Sequence, residues 1–125
     1  MLTSKEIAHL AVKALDDKLA RDIQILKTDK VTVLADYFIL CTAGNSTHGK
    51  TLADEVDKVL SQAGEPPLRL TVSPEYLKFV EENEIGTLLD FGCVVVHIFS
   101  EEMRSFYSLD RLWSDAEKID YKDFL

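Results

Sequence analysis

The sequence predicts a single α/β domain, a mixed β-sheet flanked by helices, and three observations carry that prediction. Segments with a helical apolar period alternate along the chain with short runs of β-branched and aromatic residues. The length of 125 residues suits one domain, and no repeat, low-complexity stretch or long linker divides it. Hydrophobic residues at 46% and charged residues at 29% match a chain that buries its own core, which excludes disordered, collagen-like and mucin-like classes.

Thr3 and Glu6 form a capping box ahead of Ile7, Leu10, Ala11, Ala14, Leu15 and Leu19, the stripe of an amphipathic helix. Residues 22–27 then alternate, with Ile23, Ile25 and Lys27 opposing Asp22, Gln24 and Leu26. Val31-Thr32-Val33 is also β-prone, so two short strands or one bent ribbon follow the helix. Tyr37-Phe38-Ile39-Leu40-Cys41 is apolar on both faces, the mark of a central strand. It ends at Gly44-Asn45-Ser46, where Ser46 or Thr47 is expected to cap a second helix with the stripe Leu52, Ala53, Val56, Val59, Leu60 and Ala63. Gly64 closes that helix, with Pro66-Pro67 beyond it.

Residues 68–72 alternate as a strand, and Ser73-Pro74 opens a short helix expected to end near Glu82. Thr87-Leu88-Leu89-Asp90-Phe91 and Val94-Val95-Val96-His97-Ile98-Phe99 predict two strands with a tight connection at Gly92-Cys93. Ser100 is placed to cap a last helix through Glu101, Glu102, Arg104, Phe106, Tyr107, Leu109, Leu112 and Trp113. The domain is therefore expected over residues 1–113, with residues 114–125 as a loose acidic tail.

The net charge of −8 is uneven: residues 1–50 hold seven bases and six acids, residues 51–125 seven bases and sixteen acids. That balance argues against direct nucleic-acid binding, which rests on clustered Lys and Arg, and favours a basic protein partner. The plain alternative is that the charge only keeps the domain soluble. No apolar run approaches the ~20 residues that span a bilayer, and the N-terminus lacks a signal-peptide core, so no membrane role is expected. Cys41 and Cys93 lie in apolar stretches and read as buried free thiols of a reducing compartment, hence a cytoplasmic expectation.

One enzymatic pattern stands out. Gly44-Asn45-Ser46-Thr47-His48-Gly49-Lys50-Thr51 satisfies G-x-x-x-x-G-K-[ST] between a strand and a helix, the signature of a phosphate-binding loop. Lys50 would then reach phosphates and Thr51 a magnesium ion, giving a small nucleotide hydrolase as the alternative function. The loop has no glycine near Thr47, and the second acid that the metal needs is available only as Asp36 or Asp90. Nucleotidyl transfer fails because no two Asp residues stand at D-x-D spacing, and a nucleophile elbow fails at His48-Gly49. His9, His48 and His97 lack metal-ligand spacing with the cysteines, so neither a metal nor another cofactor is expected. His97, on an apolar strand, reads first as a core residue. Six of the eleven aromatics, including the only tryptophan, fall between positions 79 and 113, as core or as a contact surface.

These blocks resemble the ribosomal silencing factors, the Iojap or RsfS family, over about residues 4–113. The resemblance is carried by Asp22-Ile23, Ala35-Asp36-Tyr37-Phe38-Ile39, Gly44-Asn45-Ser46, Ala53-Asp54-Glu55-Val56 and Pro67-Leu68-Arg69. Its most specific parts are Leu89-Asp90-Phe91-Gly92 with Val94-Val95-Val96-His97-Ile98-Phe99, and Glu101-Glu102-x-Arg104-x-Phe106-Tyr107-x-Leu109-x-x-Leu112-Trp113. The resemblance implies a nucleotidyltransferase-like fold without catalytic residues, and thus no enzyme. It further implies a translational repressor that binds the large ribosomal subunit through ribosomal protein fourteen and blocks joining of the small subunit. A second copy of the chain is the other partner it allows. By the same resemblance the docking residues are Phe91, His97, Phe99, Arg104, Phe106 and Tyr107. Gly86 stands where the family has a tryptophan and Cys93 where it has an aspartate, and Tyr76 or Phe79 is expected to supply the missing aromatic.

Overall fold

A computed structural model describes residues 2–27, 36–65, 87–100 and 117–125. Among these residues are two helices and five strands: α1 (Ser4–Asp17), β1 (Arg21–Lys27), β2 (Tyr37–Ala43), α2 (Ser46–Gln62), β3 (Thr87–Asp90), β4 (Val94–Ser100) and β5 (Glu117–Ile119). A 3-10 turn over Tyr121–Phe124 closes the chain. The strands form one mixed sheet in the order β3-β4-β2-β1-β5, in which only β2 and β4 run parallel.

Strand β2 is central, and all seven of its residues are buried. That burial explains its unbroken apolar run, since a strand covered on both sides has no face to leave polar. On one face Ile23, Ile25, Tyr37, Ile39, Cys41, Ala43, Val94, Val96 and Ile98 meet the apolar stripes of α1 and α2 in a single cluster. The other face carries Leu26, Phe38, Leu40, Thr42, Val95, His97 and Phe99, all buried as well. The helices supply Ile7, Ala8, Ala11, Val12, Leu15, Leu52, Val56 and Leu60.

Local rules account for most boundaries. Thr3 Oγ1 accepts from Glu6 N–H at 3.1 Å and Glu6 Oε1 accepts from Thr3 N–H at 3.0 Å, the reciprocal capping box. These bonds to Thr3, backbone first, hold the Glu6 carboxyl below its ordinary range. With the folded value lowered, the cap helps the helix at neutral pH and is lost as the pH falls through that value.

Both helices end in the same motif. In α2 Gly64 N–H donates to Ser61 O and Glu65 N–H to Leu60 O, with Gly64 at φ 88. In α1 Leu19 N–H donates to Asp16 O and Ala20 N–H to Leu15 O, but the left-handed position at φ 64 is held by leucine. The expected helical contact of Leu19 is thus replaced by a turn in which the side chain is 78% exposed. Asp22 is also left-handed, at φ 49, where a bulge shifts the β1–β2 register between Arg21 and Gln24.

Two further expectations are corrected. Asn45, not Ser46 or Thr47, caps α2, its Oδ1 accepting from His48 N–H at 2.7 Å. The end of the chain is not loose over residues 117–125: β5 pairs antiparallel with β1, and Phe124 is buried against His9 and Tyr37 at ring distances of 5.2 and 5.6 Å. The expected strands at 31–33 and 68–72, and the helices over 74–82 and 101–113, lie outside the described residues.

Two variants test this packing. Leu19→Gly removes a left-handed side-chain penalty of about 1–2 kcal/mol but loosens the unfolded chain, so a net gain of about 0.5–1 kcal/mol is expected in urea unfolding. A loss would show that exposed Leu19 makes a stabilising contact. Phe124→Ala is expected to cost about 3–5 kcal/mol, and a cost below about 1 kcal/mol would mean the final turn is peripheral to the core.

Candidate functional site

The β3–β4 hairpin and the carboxyl ends of β2 and β4 hold the described residues to which sequence assigned a function. The hairpin is closed by Asp90, whose Oδ1 accepts from Gly92 N–H at 2.8 Å, while Phe91 N–H donates to Val94 O at 2.8 Å. Gly92 sits at φ 88, a conformation that favours glycine. Cys93 then offers its carbonyl to two donors, Asp36 N–H at 2.7 Å and Tyr37 N–H at 3.2 Å, tying the hairpin to the start of β2. Asp90 is 4% exposed. Its role as the hairpin cap follows from its place two residues before the glycine, a signal available in the sequence but overlooked there.

Along β4, His97 and Phe99 lie on the face turned away from α1 and α2, opposite Leu40 and Thr42 of β2. Their rings stack with centroids 3.9 Å apart and planes 19° from parallel. Phe91 belongs instead to the helix-side cluster. The structure therefore brings His97 and Phe99 together and separates Phe91 from them. All three are buried, none more than 4% exposed. Arg104, Phe106, Tyr107, Tyr76 and Phe79 lie outside the described residues.

The phosphate-loop pattern takes a different shape from the one its residues suggested. Helix α2 begins at Ser46, so His48, Gly49, Lys50 and Thr51 are helical rather than part of a loop. The backbone donors that would cradle phosphate are engaged within the chain: Gly44 N–H donates to His48 Nδ1 at 2.9 Å, His48 N–H to Asn45 Oδ1, and Gly49 N–H to Asn45 O at 2.9 Å. Thr51 Oγ1 donates to Thr47 O at 3.0 Å, one turn back, and Lys50 is exposed. Asp90, one candidate for the second acid, caps its own hairpin. Among the described residues no three His, Cys, Asp or Glu side chains gather as metal ligands.

Comparison with known proteins decides the kinship. The family model described as "Ribosomal silencing factor during starvation" matches residues 1–125. The chain belongs to the ribosomal silencing factor family. It is 32% identical over 119 residues to the ribosomal silencing factor of Halalkalibacterium halodurans, covering 95% of each chain. It is also 32% identical over 119 residues to that of Bacillus subtilis, covering 95% of this chain and 94% of the relative. It is 30% identical to the chloroplastic protein Iojap of Zea mays over 108 residues, 43% of that longer protein. A crystal structure of a Chromobacterium violaceum protein superposes with a TM-score of 0.75 at 32% identity, covering 90% of this chain and 88% of that one.

Within this silencing-factor fold neither cysteine is in a disulfide, Cys41 being buried as expected and Cys93 partly exposed. Burial pushes the Cys93 thiol up from its ordinary range against an opposing backbone hydrogen bond, and the Asp36 and Glu65 carboxylates add to the rise. Because the thiolate is the reactive form, Cys93 is expected to alkylate with iodoacetamide more slowly than glutathione at about pH 8, and faster as pH rises. Cys41 is expected to react only on unfolding. Alkylation of Cys93 as fast as glutathione would show that the thiol is neither buried nor disfavoured as an anion.

Proposed function

We propose that the chain is a non-enzymatic cytoplasmic repressor of translation that binds the large ribosomal subunit through its protein fourteen and keeps the small subunit from joining by occupying the joining surface. Membership of the ribosomal silencing factor family over the full 125 residues carries this reading. The engaged donors of the β2–α2 turn support it against nucleotide hydrolysis, since a phosphate would have to displace Asn45 and His48 from their own bonds. Sixteen acids in residues 51–125 suit a basic ribosomal protein, to which opposite charge steers encounter.

In this reading Arg104, Phe106 and Tyr107 contact the partner, as aromatics and arginine do at interface hot spots. Phe91, His97 and Phe99 contribute differently. Buried on β4 and its hairpin, they hold the sheet together. The proposal thus divides the six docking residues into a supporting set and a touching set.

Co-sedimentation with isolated large subunits, followed by addition of small subunits, tests the reading. The protein is expected to travel with large subunits and to lower the fraction of joined ribosomes with dose. Tyr107→Ala is expected to weaken binding by about 30-fold while leaving the unfolding midpoint unchanged. Phe99→Ala is expected to cost about 3–5 kcal/mol of stability, so that binding is lost through unfolding. Lys50→Ala is expected to leave both properties intact. Failure to travel with large subunits, or loss of silencing in Lys50→Ala, would overturn the reading.

A further inference from the structure

One side chain joins two turns at the carboxyl end of β2. His48 Nδ1 accepts from Gly44 N–H at 2.9 Å in the β2–α2 turn, and His48 Nε2 lies 2.7 Å from the carbonyl oxygen of Lys18, which ends α1. A backbone N–H can only donate and a carbonyl can only accept, so the two contacts together require the neutral ring with its proton on Nε2. We propose that His48, anchored through Nε2 to the α1–β1 turn, is a proton-sensitive latch on the β2–α2 turn, closed on Gly44 while the ring is neutral and opened when a proton arrives at Nδ1.

Protonation converts Nδ1 from acceptor to donor, so the ring and Gly44 would present N–H to N–H and that bond is lost. The bond to Lys18 survives, because a charged ring donates to a carbonyl at least as well as a neutral one. Asn45, next to Gly44, already uses its side-chain oxygen on His48 N–H and its carbonyl on Gly49 N–H. Opening therefore separates the β2–α2 turn from the ring rather than exchanging one partner for another.

The charged residues of the bridged segments are Asp16, Asp17, Lys18, Arg21 and Asp22 around the α1–β1 turn and Lys50 on α2; the last residues of β2 and β4 carry none. Of these, Arg21 approaches the latch most directly. The point where a Gly44 Cβ would stand is 3.4 Å from Arg21 Nη2 and 3.6 Å from His48 Nδ1. Arg21 and the His48 ring thus border Gly44 together.

Nuclear magnetic resonance of the nitrogen-15-labelled full chain, followed across a pH series with the His48 ring signals as the reporter of its protonation, tests this. The Nε2–H tautomer is expected for His48 at the upper end. The Gly44 amide resonance is expected to follow the His48 titration, with its exchange protection falling about five- to tenfold on protonation. His48→Asn puts a non-titrating acceptor where Nδ1 stands and is expected to make Gly44 protection independent of pH. An Nδ1–H tautomer, Gly44 protection unchanged across the His48 titration, or an unaltered pH response in His48→Asn would overturn the latch. Should His48→Asn fail to fold, the wild-type tautomer and the Gly44 response decide the matter by themselves. Ribosome binding enters none of these readouts, so the latch stands or falls separately from the silencing reading.

Discussion

The parallel pairing of β2 with β4 is the constraint on which the rest of the structure depends. Seven consecutive residue pairs, from Tyr37 with Val94 to Ala43 with Ser100, lock the two strands side by side at the middle of the sheet. Parallel neighbours cannot be joined by a short turn, so the chain between them must leave the sheet and return, and α2 makes part of that excursion. Both strands are then covered on both faces, which forces apolar residues at successive positions and gives the core its width. The hairpin of β3 with β4, the antiparallel β1 and the helix stripes are additions to this pair. The doubly bonded carbonyl of Cys93 fixes where the pair begins.

How much of this was legible in the sequence depended on whether the deciding residues were of the usual type. The two helix ends make the comparison directly. Gly64 announced its turn because glycine is the common occupant of the left-handed position, whereas Leu19 concealed an identical turn behind an apolar side chain that fitted the helix period. Tyr37 to Cys41 read as a central strand because burial on both faces leaves a compositional trace. Residues 117–119 did not read as a strand, since a three-residue edge has too little length for alternation to register and its neighbours are polar. Phe124 was the available signal, an aromatic in an acidic segment, and it marks the point where the chain returns to the core.

At the candidate site the same limit appears in another form. The family resemblance named His97 and Phe99 as docking residues, and the structure stacks their rings on one strand face. Spacing could not say that the face is covered, nor that Phe91, only six residues earlier, joins the opposite layer. The phosphate-loop pattern shows the converse. Its residue types match, yet the fold starts the helix at Ser46 and gives the glycine and histidine donors to partners inside the chain. A pattern specifies which groups are present; hydrogen bonding specifies which of them are already engaged.

Among the described residues the two borders of the sheet are β3 and β5, of four and three residues. A border strand offers a row of unsatisfied amides to any extended peptide that approaches, and short borders offer few. β5 lies along β1, which presents Ile23, Ile25 and Leu26 within seven residues and would by itself be a longer and stickier margin. The small strand β5 therefore works as a hem: it covers part of β1 and leaves a shorter row of open amides than β1 by itself would.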